Sequence, residues 1–269
     1  MNRVRQTVRV LGWSACAGFR DTLGAVYTLQ SWVFGLFVRM VAQVAFFATL
    51  GRLLGSQAHV QFLLVGNAVM VAASSSFTVT VATVGERDTG TLPLLVASPT
   101  SPLVVLMGRG ASFVPNGLIT ALGAFAIAGP LYDVALPWGR VPALLALLVL
   151  VTVSTYMAAT FLAGFVLRAP GTRRTVANVS RLVMMAFCGV SVPLSVYPTV
   201  VRGVAEVLPL THGLDAIREL FGMADTATIL SQAGWEALVG SAWLLLSLAT
   251  FRRLADAGRH DGSIVFSSA

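Results

Sequence analysis

Long apolar runs joined by short polar connections leave this chain few folds to choose from. Six runs, at about 29–51, 60–84, 103–129, 141–167, 178–195 and 235–251, each reach the ~17–20 predominantly apolar residues a helix needs to cross hydrocarbon. Charged residues are 11% of the 269 positions and apolar residues 56%, with a mean hydropathy of +0.82. A soluble domain carries about 25% charged residues, so the chain reads as an integral membrane protein. The sequence predicts an all-α, polytopic fold with six transmembrane helices. Residues 1–269 are one transmembrane domain, because spans and short connections use up nearly the whole length and leave no room for a separate catalytic domain.

The most informative connection is 85–102, GERDTGTLPLLVASPTSP, between the second and third runs. Glu86, Arg87 and Asp88 are consecutive, and each ion would cost several kcal/mol in hydrocarbon. The stretch therefore belongs outside the bilayer. Its apolar segment, Leu92 to Ala97, is flanked by Gly and Pro breakers, which predicts a short helix and a docking surface.

Residues 3–21 are predicted to form an amphipathic helix lying in the membrane interface. At 100° per residue Val4, Val8, Leu11, Ala15 and Phe19 share a face, with Arg5, Gln6, Arg9 and Arg20 roughly opposite. All eighteen basic residues are arginine. With a cytoplasmic N-terminus, thirteen of them fall on the inner side and four outside (Arg52, Arg140, Arg202 and Arg218), while Arg39 lies within the first span. This positive-inside bias puts both termini and 85–102 in the cytoplasm. It also accounts for the net charge of +7 without nucleic acid.

The longest connection, 196–234, then faces outward. It mixes apolar and polar residues without making a full span, and after Pro209 the residues Leu210, Leu214, Ile217 and Phe221 recur at helical spacing. The expectation is a set of short re-entrant helices capping the bundle. Irregular backbone at that depth must be buried in protein or line a cavity. Pro209, Leu210, Thr211, Asp215 and Arg218 are the candidate outer gate.

Nothing in the sequence supports catalysis. It has no GxxxxGK[ST] phosphate loop, HExxH, CxxC or GxSxG. Cys16 and Cys188 imply no disulfide framework, and His59, His212 and His260 have no metal-ligand spacing. The chain is expected to bind no cofactor or metal of its own. Ser74, Ser75 and Ser76 sit inside the second run, where hydroxyls usually bond to the helix backbone or a neighbouring helix. Arg39 has two readings: a contact to a lipid or substrate headgroup, or an arginine snorkelling toward the cytoplasmic end. Asn67, Asn116 and Asn178 suit contacts between helices. A secondary transporter usually needs intramembrane carboxylates or broken helices for ion coupling, and no carboxylate lies deep within any proposed span.

Two stretches resemble the permeases of ATP-binding-cassette exporters of the type-2 class. Residues 85–102 are similar to that family's cytoplasmic loop, approximately E-R-E-x-G-T-L-E-x-L-x-x-[ST]-P, through Glu86, Arg87, Gly90, Thr91, Leu92, Leu95, Ser98 and Pro99. Asp88 stands where Glu is usual, and Pro93 replaces a common acidic residue. Residues 208–220, LPLTHGLDAIREL, resemble the family's stretch before the last span.

The resemblance implies an exporter permease in a bacterial plasma membrane, paired with a second permease copy or paralogue. Two cytoplasmic ATPase subunits, holding ATP and Mg, would drive it. Residues 85–102 would be the coupling helix, with Glu86, Arg87 and Asp88 setting orientation alongside Gly90 and Thr91, and with Leu92, Leu94 and Leu95 as the apolar anchor. The apolar path suits an amphipathic drug, antibiotic, natural product or lipid. The competing reading is a membrane anchor or sensor that holds an ATPase without transporting.

Overall fold

The computed structural model describes residues 2–21, 38–88 and 102–261; within these ranges residues 2–8, 21, 39, 86–88, 102–103 and 255–261 are described in backbone alone. The elements are helices throughout, with no strand among the described residues. They are α1 (Asn2–Asp21), α2 (Val38–Leu53), α3 (Gln57–Ser76), α4 (Thr78–Asp88), α5 (Pro102–Gly110), α6 (Phe113–Leu131), α7 (Val141–Val166), α8 (Arg173–Phe187), α9 (Thr199–Val207), α10 (Thr211–Phe221) and α11 (Thr226–Asp261). Four stretches are long and apolar enough to cross a membrane: Gln57–Gly85 (α3 and α4), Val104–Leu131 (α5 and α6), Trp138–Val166 (α7) and Thr226–Leu254 (α11).

These four cover the second, third, fourth and sixth runs. The first run is met in part: α2 is a shorter apolar helix, and residues 29–37 lie outside the described residues. The stretch 178–195 departs from expectation. Its helix, α8, runs Arg173–Phe187 and stops. At about 1.5 Å per residue those 15 residues span roughly 22 Å, short of a hydrocarbon core of about 30 Å. Gly189, at φ 73°, and Pro193 end the helical path there, since neither supports continuation.

α3 occupies the centre of the bundle. Leu64, Ala68, Val69, Ala72 and Ala73 are buried, and the helix packs against α2, α6 and α7. Lipid tails are as apolar as the side chains, so small residues and interhelical hydrogen bonds hold such helices together. Where α6 meets α3, a Cβ on Gly117 would stand 2.6 Å from the Ala72 carbonyl oxygen, so only glycine allows this approach. The Ser76 hydroxyl donates to the Thr152 carbonyl of α7, and Gln43 of α2 donates to Asn67 of α3 at 3.4 Å. Tyr156 of α7 donates to the Met107 carbonyl of α5, and Ser247 of α11 donates to the Met157 carbonyl of α7.

One end of the bundle is tied by the connections. Ser56 caps α3 by accepting from the Ala58 amide, and Gln57 donates to the carbonyls of Tyr132 and Asp133 beyond α6. Arg140 donates to the Ala224 carbonyl between α10 and α11. The α2–α3, α6–α7 and α10–α11 connections therefore share an end.

α1 is helical as expected, and among its described side chains the small ones face the bundle. It packs on α5 through Ser14 and Gly18, while Leu11 and Phe19 are exposed and Trp13 is 71% exposed. Small side chains decide this: a Cβ on Gly18 would lie 2.0 Å from the Arg109 carbonyl oxygen, closer than any side chain permits.

Candidate functional site

Residues 208–221 are where the described polar chemistry gathers. Leu208 and Pro209 end the helical path of α9, and Leu210 turns the chain with φ 91°, a conformation costing a residue other than glycine on the order of 1–3 kcal/mol. α10 then carries an apolar face of Leu214, Ile217 and Leu220, all buried against α7, α11 and α3. The helical spacing read from sequence is present, and it packs against protein.

The head of α10 is fixed by Glu236 of α11. This carboxylate is 0% exposed. It accepts from the Leu210 amide at 2.9 Å and from the Gly213 amide at 3.0 Å, one bond to each oxygen. A helix N-terminus leaves its first amides unsatisfied and carries partial positive charge, so a carboxylate there is stabilised by both effects. A buried carboxylate without such partners would cost several kcal/mol. Glycine at 213 is what lets α10 sit so close, because a Cβ there would meet Val151 Cγ2 at 2.2 Å. Thr211 donates to the Ala205 carbonyl at 2.6 Å and ties α10 to α9. His212 bridges Gln232 of α11 and the Glu206 carbonyl, each at 3.2 Å, and stacks on Trp235.

The other half of α10 is fixed by Arg218. Its Nη2 donates to the Gly189 carbonyl at 2.8 Å, to Val190 at 3.2 Å and to Phe62 of α3 at 3.4 Å. Asp215 pairs with its Nη1 at 3.8 Å. Burial pushes the Asp215 carboxyl upward, against the pull of Arg218 and His212, and pushes Arg218 down to about 10, leaving it a cation at neutral pH. Gly66 of α3 makes room, since a Cβ there would lie 2.2 Å from the Val190 carbonyl oxygen.

The five residues of the expected gate lie at the turn into α10 and on α10 itself, and one pair of them, Asp215 and Arg218, is in contact. Pro209 places its carbonyl 3.6 Å from Cys188 Sγ, Leu210 meets Glu236, Thr211 meets Ala205, and Asp215 meets Arg218. Sequence reasoning missed Glu236. It is the second residue of the run at 235–251 and reads there as a boundary, but α11 begins at Thr226, which puts Glu236 well inside the helix. The statement that no carboxylate lies deep within a span is corrected by this position.

The other expected residues lie elsewhere. Arg39 is in the first turn of α2. Glu86, Arg87 and Asp88 form the last residues of α4, so the helix runs through Gly85 instead of breaking there; a glycine inside a helix costs only about 1 kcal/mol. They close the far end of the α3–α4 rod, roughly 30 Å along it from Gly66. Gly90, Thr91, Leu92, Leu94 and Leu95 lie outside the described residues. Among the described residues no group of His, Cys, Asp and Glu could hold a metal.

Comparison with known proteins adds one finding. No curated protein and no solved structure matches the chain. The family profile described as ABC-2 family transporter protein matches residues 52–251, which takes in everything from the end of α2 to the last turns of α11, including the α9–α10 stretch and Glu236. An all-helical membrane bundle of this extent, matched over most of its length, belongs to the ABC-2 family of transporter proteins.

Proposed function

We propose that this chain is the permease subunit of an ATP-driven exporter in a bacterial plasma membrane, with both termini cytoplasmic. The match to the ABC-2 transporter family over residues 52–251 carries the reading. Two separate cytoplasmic ATPase subunits hold ATP and Mg and supply the energy, and a second permease, the same chain or a paralogue, completes the path. Glu86, Arg87 and Asp88, with Gly90, Thr91, Leu92, Leu94 and Leu95 after them, seat in the ATPase as the coupling helix. Pro209, Leu210, Thr211, Asp215 and Arg218 form the outer gate, and Arg39 contacts a lipid or substrate headgroup. The apolar character of the helices favours an amphipathic cargo: a drug, antibiotic, natural product or lipid.

The separation between the end of α4 and α10 supports a rigid-body switch. Closure of the ATPases would push on one end of the α3–α4 rod, and the packed bundle would pass that movement to α10 at the other end. The test is purification of the tagged protein from its native host in mild detergent, followed by mass spectrometry. A stoichiometric subunit with a phosphate-binding loop is the expected result, and a second permease in the same sample would identify the pairing. A complex-preserving purification that yields no ATPase would overturn the reading.

A further inference from the structure

We propose that Glu236 is a positioning residue that makes α10 one body with α11, so that the outer gate opens by α10 parting from α3 and residues 188–190 at Arg218. The inference deepens the exporter reading and rests on it for the meaning of the gate. The attachment itself stands on geometry alone.

The two ends of α10 are held very differently. At its head a fully buried carboxylate makes two short bonds, 2.9 and 3.0 Å, to amides that face it from a helix N-terminus. The Leu210 amide lies outside the helical ladder of α10, and Glu236 is its acceptor. His212 adds a bond to Gln232 and a stack on Trp235, both on α11. Three residues of α10 and its lead-in, Leu210, His212 and Gly213, are thereby aimed at one stretch of one helix, 232–236.

At the tail the hold is looser and shared among several elements. Arg218 is 17% exposed, its Asp215 partner is at 3.8 Å, and its carbonyl contacts range from 2.8 Å at Gly189 to 3.2 and 3.4 Å at Val190 and Phe62, whose ring it also covers. Its buried Nε has no hydrogen-bond partner among the described residues. Carbonyls of α3 and of the 188–190 segment accept from a single nitrogen, Nη2. Nη2 has two hydrogens for these three carbonyls, so they compete for it at a partly exposed side chain, whereas each Glu236 oxygen is matched to its own amide in full burial; the Arg218 contacts therefore release before the Glu236 contacts do. The strained turn at Leu210 points the same way: φ 91° persists only where the surroundings over-determine it, and Glu236 supplies that determination.

Hydrogen–deuterium exchange on the full-length protein in lipid nanodiscs, resolved to single amides by fragmentation, tests this without an ATPase or a substrate. In the wild-type protein the Leu210 amide should exchange as slowly as amides in the middle of α10; fast exchange there overturns the proposal whether or not any variant folds. Glu236→Gln keeps one acceptor oxygen and replaces the other by a donor. It should speed exchange at Leu210 or Gly213 about tenfold or more while α3 and α7 keep their protection. Arg218→Lys should loosen residues 217–222 and leave Leu210 and Gly213 within about twofold of wild type. Equal loosening of both ends by Arg218→Lys, or no change at Leu210 and Gly213 in Glu236→Gln, would sink the idea. Failure of the exporter reading shows up separately, as the absence of an ATPase from the purified complex.

Discussion

Arg218 of α10 lies over the ring of Phe62 in α3, with the guanidinium carbon 3.6 Å from the ring centroid. The same side chain reaches the carbonyls of Gly189 and Val190, so one cation joins three segments that are distant in sequence. A desolvated cation–π contact contributes about 2 kcal/mol, and hydrogen bonds from a charged donor about 1.5–3. Arg218→Ala should therefore lower stability by about 3 kcal/mol, with Asp215 left unpaired. Arg218→Lys should cost less, about 1–2 kcal/mol, because it keeps the charge but loses the flat, multi-donor head. Thermal unfolding in determined detergent conditions measures both; values within experimental error of wild type for both variants would refute the joining role.

Asp215 predicts a pH dependence. Burial raises its carboxyl above the ordinary aspartate value of 3.8 more than Arg218 and His212 lower it. The folded state then binds the proton more tightly than the unfolded state does. Its contribution is most favourable below about pH 4 and is lost as pH rises through the folded value. Asp215→Asn removes this titration, so the stability of wild type relative to the variant should fall as pH is raised from about 4 toward neutrality. A difference that is flat across that range, or that rises, would contradict the sign.

How much of this was legible in the sequence depends on what the signal rests on. Apolar length marks α3 with α4, α5 with α6, α7 and α11, because a span must be apolar along its whole length. It misleads at 178–195, where α8 supplies only the first part and the apolar residues after Phe187 pack as irregular backbone around Gly189. Helical spacing after Pro209 found α10, and of the residues chosen there Asp215 and Arg218 meet each other. Glu236 could not be found the same way. Its partners are amides, which have no sequence signature, and they lie more than twenty residues away. Ser14 and Gly18 were passed over in favour of the apolar stripe of α1, although close backbone approach selects for small size over hydrophobicity.

The α1–α5 contact gives a paired test on two glycines of one helix. A Cβ at Gly18 would strike the Arg109 carbonyl, whereas a Cβ at Gly12 would meet nothing within 4 Å. Gly18→Ala should push α1 off α5 at a cost of about 1–3 kcal/mol, and Gly12→Ala should be neutral or stabilise by up to about 1 kcal/mol through helix propensity. Tryptic cleavage at the exposed Arg9 and Arg20 reports on this, since a detached helix unfolds locally and is cut faster. Equal cleavage rates in the two variants would show that the close contact does not hold α1.

Tyr132, at the end of α6, is held by its phenol. The hydroxyl donates to the Ala45 carbonyl at 3.0 Å and lies 2.9 Å from Thr49 Oγ1, while Arg52 covers the ring at 4.6 Å. Tyr132→Phe keeps the ring and the cation above it but removes the bond to the Ala45 carbonyl and takes this partner from the Thr49 hydroxyl. The expected loss is about 1–2 kcal/mol in thermal unfolding. A similar loss in a Thr49→Val variant, and no further loss when the two changes are combined, would assign it to this one hydrogen-bonded pair. Full additivity would rule that out.

Glu86 and Arg87 provide the most direct functional test of the exporter proposal. They are the last turn of α4, whose preceding residues pack on α7 and α8, so a force applied at this point enters the bundle through a helix already embedded in it. In the proposed complex their charges set the orientation of the coupling helix on the ATPase, and the leucines that follow provide its apolar anchor. Reversing both charges, Glu86→Arg with Arg87→Glu, should leave membrane insertion and thermal stability close to wild type while cutting substrate-stimulated ATP hydrolysis by about tenfold or more. Hydrolysis at low and high salt sharpens the test, because exposed charge contacts are screened over a Debye length of about 8 Å at physiological ionic strength. Wild-type stimulation should weaken with added salt, and the reversed pair should respond little. Unchanged stimulation in the charge-reversed protein would remove Glu86 and Arg87 from the coupling surface and leave the docking to another part of the chain.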